Sequence, residues 1–262
     1  MNFLETIVEH KRSEVAQRKQ KIRRSALEQM QYYHRPSLPF REALMNKEPF
    51  AIIAEIKRSS PSAGTLKNNV DPARLAQEYQ VNGAAAISVL TDERFFSGTL
   101  NDLHDVRGTV TLPILRKEFI IDDYQISEAK AYGADAILLI AAILERSELQ
   151  EFFLAAKESH IECLVELCDE HEIDKLDFDV MKLVGINNRD LTTMTIDIGR
   201  TFNMKKHIPD DITVVSESGI RSANELKKLK AAGVTSALIG EHFMKSDNPA
   251  VELRKLLDSI SV

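Results

Sequence analysis

The stretch Ala131-Tyr132-Gly133-Ala134-Asp135-Ala136-Ile137-Leu138-Leu139-Ile140-Ala141 decides the fold class. It reads as the end of a helix, a glycine, and then a short apolar run without polar alternation. Glycine just past a helix adopts the left-handed conformation that ends it without a Cβ clash. An apolar run of strand length suits a parallel strand covered by helices. The same unit recurs as Tyr79-Gln80-Val81-Asn82-Gly83 before residues 84–90, and as Ala231-Ala232-Gly233 before residues 237–240. Strand and helix alternating in this way imply a parallel α/β fold.

Working outward, eight such runs cover residues 51–57, 85–91, 113–117, 136–141, 162–167, 183–187, 213–217 and 236–240. Their starts lie roughly 20 to 35 residues apart, the length of a βα unit with short loops. Helix starts are marked between them. Asp71-Pro72 and Asn248-Pro249 each offer a cap followed by proline at the first helical position. Ser222 with Glu225, and Ser147 with Gln150, match the reciprocal capping box. The last helix carries a stripe that includes Val251, Leu256, Leu257 and Ile260. Eight strands in 262 residues with no Pro/Gly-rich linker favour one closed (β/α)8 barrel, residues 1–262 as a single domain. An open doubly wound sheet is the rival, but neither G-x-G-x-x-G nor G-x-x-x-x-G-K-[ST] occurs among the ten glycines. Residues 1–48 precede the first strand as a helical extension. There Phe3, Leu4, Ile7, Val8 and Val15 share a face between charged neighbours such as Glu9, Lys11, Arg12 and Glu14. That helix is expected to pack on one end of the barrel or to meet another subunit.

Composition narrows the partners. Net charge is −6, from 34 basic and 40 acidic residues, which argues against nucleic acid, whose phosphates are bound by clustered Lys and Arg. A small anionic substrate needs only a few local cations. No segment reaches the roughly 20 apolar residues of a membrane span, and Met1-Asn2-Phe3-Leu4-Glu5 lacks the pattern of a secretory signal. The expectations are a cytoplasmic protein without a membrane partner, compatible with a monomer. His160, Cys163, Cys168 and His171 suggest a zinc site at first sight. A strand through that segment would separate the two cysteines by about 16 Å, so four ligands could not gather round one ion. Reduced, core-packed thiols are the better account, and no residue set calls for a metal or an organic cofactor.

The informative residues are charges at the C-terminal ends of apolar strands, the face that carries active sites in barrels. Side chains alternate, so Glu55 and Lys57 point the same way on the first strand. Lys117, Glu166, Asn187 and Glu217 end four further strands. One charge at a strand end can simply mark where the chain enters water. Three carboxylates, two lysines and an amide on one rim instead form a set that shifts pKa values and supplies proton donors and acceptors. Structural ion pairs would look similar.

The loops add two further features. Ser60-Pro61-Ser62-Ala63-Gly64 follows the first strand, Ser218-Gly219 the seventh, and Gly240 ends the eighth. Barrels often hold phosphate on the loops after strands seven and eight, where glycines let backbone N–H groups approach the oxygens. Ordinary turn glycines are the bland alternative. Phe95-Phe96 and Phe119 lie beyond strands two and three, where they anchor loops or receive a planar aryl group. Pro61, Leu90, Leu138 and Ile140 would complete an apolar wall.

Taken together, several stretches resemble the indole-3-glycerol-phosphate synthase family. They are Ile53-Ala54-Glu55-Ile56-Lys57-Arg58-Ser59-Ser60-Pro61-Ser62, Leu115-Arg116-Lys117-Glu118-Phe119-Ile120, and Leu164-Val165-Glu166. Gly185-Ile186-Asn187-Asn188-Arg189-Asp190-Leu191, Glu217-Ser218-Gly219-Ile220 and the opening Ile7-Val8-Glu9-His10-Lys11-Arg12 follow the same family pattern. The resemblance spans essentially the whole chain in order, and it implies a TIM barrel acting on 1-(2-carboxyphenylamino)-1-deoxyribulose 5-phosphate. The aryl carbon would attack the sugar ketone, carbon dioxide would leave, and loss of water would follow. By similarity Lys117 is the acid for the ketone oxygen, Lys57 engages the departing carboxylate, and Glu166 is the second proton-transfer group. Glu55, Asn187 and Glu217 would orient hydroxyls, with Glu55 also a base for dehydration. Ser60, Ser218, Gly219 and Gly240 would meet phosphate, and Arg189 would support the substrate. Glu241 stands where the family often has a small hydroxyl residue; its carboxylate is expected to point away, so that only its backbone serves phosphate. The alternatives are a phosphosugar isomerase on the same barrel and a non-catalytic phosphate-binding protein. The isomerase would place a Cys base on the first strand, where this chain has Glu55 and Lys57. Pure phosphate binding gives Lys117 and Glu166 no work.

Overall fold

The computed structural model describes residues 3–67, 69–190 and 193–260. Of the stretches that carry the family resemblance, only Leu191 lies outside them, as do the ends of the chain at Met1, Asn2, Ser261 and Val262. The eight apolar runs all become strands: β1 (Ala51–Ile56), β2 (Ala86–Leu90), β3 (Ile114–Lys117), β4 (Ala136–Ile140), β5 (Glu162–Leu167), β6 (Leu183–Asn187), β7 (Thr213–Glu217) and β8 (Ser236–Ile239). All pair in parallel. The sheet closes because β1 pairs with β2 on one side, Ile53 opposite Ala86, and with β8 on the other, Ala51 opposite Ser236. This is a (β/α)8 TIM barrel.

Alternation splits the apolar strand residues into two cores. Ala51, Ile53, Ala86, Leu115, Ala136, Leu138, Leu164, Leu183 and Val215 face inward and fill the barrel. Ile52, Ile87, Ile114, Ile137, Val165, Val184 and Val214 face outward under the surrounding helices. Residues buried on both faces have no reason to alternate in polarity, hence the unbroken apolar runs. Outside lie α4 (Pro72–Val81), α5 (Glu93–Phe96), α6 (Leu100–Arg107), α7 (Tyr124–Ala131), α8 (Arg146–Glu158), α9 (Gly199–Lys205), α10 (Ala223–Ala231), α11 (Glu241–Lys245) and α12 (Pro249–Asp258). Asp71, Ser222 and Asn248 cap α4, α10 and α12 as their sequence signals indicate. Gly133 follows α7 at φ +92°; a Cβ there would also lie 2.4 Å from the Arg107 side chain.

Two local expectations need correcting. The cap of α8 is Glu145, paired with Glu148, rather than Ser147, because the helix starts at Arg146. Val251 is exposed on α12, and Leu253 takes its place in the buried stripe. The N-terminal helix packs on one end of the barrel as expected, but the extension as a whole is not confined there. It divides into α1 (Phe3–Lys21), α2 (Arg24–Leu27) and α3 (Phe40–Met45), and serves both ends. Phe40 and Leu44 of α3 plug the N-terminal end of the barrel, with Phe40 N and Arg41 N donating to the Glu162 carboxylate at 2.6 and 3.1 Å. The opposite end receives α1, whose buried residues are Ile7, Lys11 and Val15 rather than an all-apolar stripe.

Asp135, fully buried just before β4, ties the extension to the barrel floor. It accepts hydrogen bonds from Arg35 Nη2 at 2.5 Å, Leu38 N at 2.7 Å, Arg107 Nη1 at 2.8 Å and Ile114 N at 2.9 Å. Removing one member of a buried ion pair leaves an uncompensated charge, at a cost of about 3–5 kcal/mol. Asp135→Ala should therefore lower the unfolding free energy from urea denaturation by about that amount, and a loss below about 1 kcal/mol would contradict this role.

Candidate active site

The C-terminal ends of the strands open into a cleft of about 1150 Å³, counting its mouth. Lys117, at the end of β3, reaches its centre. Its Nζ lies 2.5 Å from Glu217 Oε2, 3.6 Å from Glu166 Oε2 and 3.8 Å from Glu55 Oε2. Three strands thus deliver carboxylates to one ammonium that is only 17% exposed. Lys57, one residue past β1, pairs with the other oxygen of Glu55 at 2.8 Å. Asn187 Nδ2, from the end of β6, donates to Glu166 Oε1 at 3.3 Å. The six polar residues expected from strand ends therefore meet. Glu217 departs from the set in one respect: it lies beneath the cleft, 1% exposed, and touches it through Lys117.

Two glycines make room for these acids. A Cβ on Gly185 of β6 would lie 2.2 Å from Glu217 Oε1, and one on Gly240 would lie 2.3 Å from Glu55 Oε1. Inward-facing positions of a narrow barrel cannot all carry side chains when some are filled from an adjacent strand.

Burial opposes charge on Lys117, but Glu217, Glu166 and Glu55 outweigh it and raise the pKa of the ammonium above its ordinary value. Burial would also raise Glu55, yet Lys57 and Lys117 prevail and hold its carboxyl below the usual carboxylate range. Glu217 goes the other way. Desolvation, aided by Glu166 and Glu55, overcomes Lys117 and pushes its pKa up to about 8. Its Oε1 is buried without a hydrogen-bond partner, which penalises the ionised form.

The apolar side of the cleft contains Pro61, Leu90, Phe96, Phe119, Leu138 and Ile140. Phe96 and Phe119 pack with ring centroids 6.1 Å apart. Phe95 turns away from the cleft to meet Phe3 edge-on at 5.8 Å. At the other side Ser60, Ser218, Gly219, Gly240 and Glu241 converge. Ser218 and Gly219 have φ of +66° and +83°, which turns the backbone after β7 into a recess. Arg189 lies at the edge; its N–H donates to Asn187 Oδ1 at 3.0 Å, and its guanidinium meets Glu241 Oε2 at 3.0 Å. Lys245 takes the second Glu241 oxygen at 2.6 Å.

Sequence reading missed Phe3, Leu4 and Ile7, which line the cleft from α1, Met194, Ile196 and Arg221 from loops, and His242 from α11. The apolar stripe of α1 was a signal without a destination. Ile196 enters through an antiparallel bridge with Arg189, which no sequence pattern marks. Cys163 packs in the outer core, while Cys168 Sγ lies 3.8 Å from Glu166 Oε1; burial raises both thiol pKa values, so neither is an activated base. Among the described residues no group of three or more His, Cys, Asp or Glu is arranged to hold a metal ion, and no helix is long and apolar enough to cross a membrane.

Fold and site define a barrel enzyme that sets a buried cationic acid between an apolar wall and a glycine-lined recess. The family model for indole-3-glycerol phosphate synthase matches residues 4–256. Curated relatives of that name include proteins from Desulfotalea psychrophila, 43% identical over 97% of this chain and 98% of theirs, and Salinibacter ruber, 41% identical over 98% and 95%. A third, from Carboxydothermus hydrogenoformans, is 44% identical over 97% and 99%. The chain belongs to the indole-3-glycerol phosphate synthase family, whose members are decarboxylating lyases of tryptophan biosynthesis. A solved 3-hexulose-6-phosphate synthase from Salmonella typhimurium shares the fold alone, with a TM-score of 0.65 and 14% identity over 80% of this chain and 98% of that one. The isomerase alternative is not favoured.

The raised pKa of Glu217 has a consequence for stability. The folded chain keeps a proton that the unfolded chain, with an ordinary value of 4.5, has released. The stabilisation from this group is full below that value and is lost as pH rises toward about 8. Glu217→Gln should flatten the fall in unfolding free energy across that window, by up to about 1.4 kcal/mol per pH unit. Parallel pH profiles for the two proteins in urea titrations would reject the assignment.

Proposed function

We propose that this site closes the indole ring of 1-(2-carboxyphenylamino)-1-deoxyribulose 5-phosphate with Lys117 as general acid. The supporting observation is the Lys117 ammonium, held in the cleft by three carboxylates from three other strands. Attack of the carboxylated aryl carbon on the sugar ketone forms a carbon–carbon bond and pushes an electron pair onto oxygen. A positioned cation stabilises that developing alkoxide, and the alkoxide, the stronger base, then takes its proton. Departure of carbon dioxide returns the bonding pair to the aryl ring. Loss of the new hydroxyl with an added proton, and of a neighbouring C–H proton, makes the five-membered ring aromatic.

The remaining roles follow position. Lys57 meets the departing carboxylate, and its contact with Glu55 joins a proton donor to a base for the dehydration. Glu166 is the second proton-transfer group, oriented by Asn187. Glu217 fixes Lys117 from below, and Glu55 and Asn187 orient the hydroxyl-bearing part of the substrate. The aryl ring lies against Pro61, Leu90, Phe96, Phe119, Leu138 and Ile140. Phosphate sits in the recess formed by Ser60, Ser218, Gly219 and Gly240, with the backbone of Glu241, while Arg189 supports the substrate nearby. The Glu241 carboxylate is occupied by Arg189 and Lys245, which suits a neighbour that must not repel phosphate. A single domain of residues 1–262 acting as a monomer is part of this reading. A cytoplasmic location and the absence of a nucleic-acid partner complete this reading.

Incubation with the carboxyphenylamino sugar phosphate should produce indole fluorescence together with carbon dioxide. Lys117→Ala should lower kcat by at least about 100-fold, while competitive inhibition by inorganic phosphate stays close to that of the parent. Unchanged turnover in that variant would remove Lys117 from the proposed role.

A further inference from the structure

Lys11 is a charged residue whose place the reaction does not explain. It lies in the middle of α1, 0% exposed, although helix-surface lysines almost always reach water. Its Nζ lies 2.8 Å from Glu14 Oε2, 2.8 Å from Asp92 Oδ2 and 2.9 Å from Glu118 Oε1. Burial lowers its pKa, but the three carboxylates outweigh this and the ammonium is retained.

Two of those partners govern the cleft. Glu118 directly follows Lys117, accepts from Phe119 N at 2.9 Å and takes the Thr91 hydroxyl at 3.0 Å. Asp92 caps α5 through Phe95 N at 2.7 Å, and α5 carries Phe96 against Phe119. On its own helix Lys11 stands one turn from Ile7, which lines the cleft with Phe3 and Leu4. One ammonium therefore joins the cover over the mouth, the loops bearing both wall phenylalanines, and the residue after the acid. Arg116 and Arg18 extend the network through Glu128 of α7, at 3.2 and 3.4 Å.

We infer that Lys11 is a positioning residue for the reaction: it fixes the aryl wall and the backbone from which Lys117 projects. The inference rests on the placement of the aryl ring and the acid proposed above. A displacement of about 1 Å in reacting groups costs on the order of 100-fold in rate, so a tether of this kind belongs to catalysis as well as to stability.

Lys11→Met strands the charges of Asp92 and Glu118, and a loss of stability could by itself lower activity. The triple variant Lys11→Met, Asp92→Asn, Glu118→Gln neutralises them together and separates the two effects. With folding checked by circular dichroism, both variants should show KM for the carboxyphenylamino sugar phosphate raised at least about tenfold and kcat lowered at least about tenfold. Inhibition by inorganic phosphate should stay within about twofold of the parent, because Ser218, Gly219 and Gly240 of that recess follow β7 and β8, which Lys11 does not touch. A folded triple variant with parental kcat and KM would overturn the inference and leave Lys11 a stability device. Weakened phosphate inhibition in step with the loss of turnover would also overturn it, since that is general loosening. If the assignment of Lys117 were at fault instead, Lys117→Ala would keep its turnover while the Lys11 variants still lost theirs.

Discussion

The structure depends on holding an ammonium and three carboxylates together where little water reaches. Lys117 is charged in that setting only because Glu55, Glu166 and Glu217 surround it, and those acids are tolerable only because it and Lys57 are present. No local segment could build this set, since the partners lie on β1, β3, β5 and β7. A closed parallel barrel does so by pointing alternate residues of every strand at one axis. Even the gaps are specified: Gly185 and Gly240 leave their side-chain space to acids that cross from neighbouring strands.

The polar set also shapes what surrounds it. The outward face of β3 carries the fully buried Arg116, whereas most outward positions on the other strands are aliphatic. Its guanidinium is met by Thr91, the Gln125 carbonyl and Glu128, so α7 and α1 pack there on a charged seam. The barrel floor is treated similarly by Asp135 and Glu162, which receive the strand-preceding chain of the extension. Residues 3–48 thus behave as a strap fastened at both ends of the barrel by buried charge, with apolar contacts between.

The fold was legible because its signal is repetitive. Eight apolar runs, three of them preceded by a helix end and a glycine, determine strand number and direction, and alternation then assigns Glu55, Lys57, Lys117 and Glu166 to one face. Glycine was readable as a turn former at 133, 219 and 233, yet Gly185 has negative φ and is required by space that another strand occupies. The path of α1 was not legible for a related reason. Lys11 reads as solvent-facing beside Glu9, Arg12 and Glu14, and only the tertiary positions of Asp92 and Glu118 turn that helix face inward. Pattern reading assigns charge to water by default, so it fails where several distant charges share a burial site.

Glu217 shows why such a cluster has to be tuned as a unit. With Glu55, Glu166 and Glu217 all ionised against Lys57 and Lys117, the cluster would carry one excess negative charge beneath the cleft, in a region of low dielectric. A proton retained on Glu217, the most enclosed acid and the one with an unpartnered oxygen, cancels that excess while keeping Lys117 cationic. On the function proposed above, an anionic substrate would alter the same balance, because its carboxylate would draw on Lys57 and its phosphate would bring further negative charge to the mouth. Both changes would favour protons staying in the cluster, so that an acid would be available when the ketone oxygen requires one. On that reading burial couples substrate charge to proton supply without a moving part.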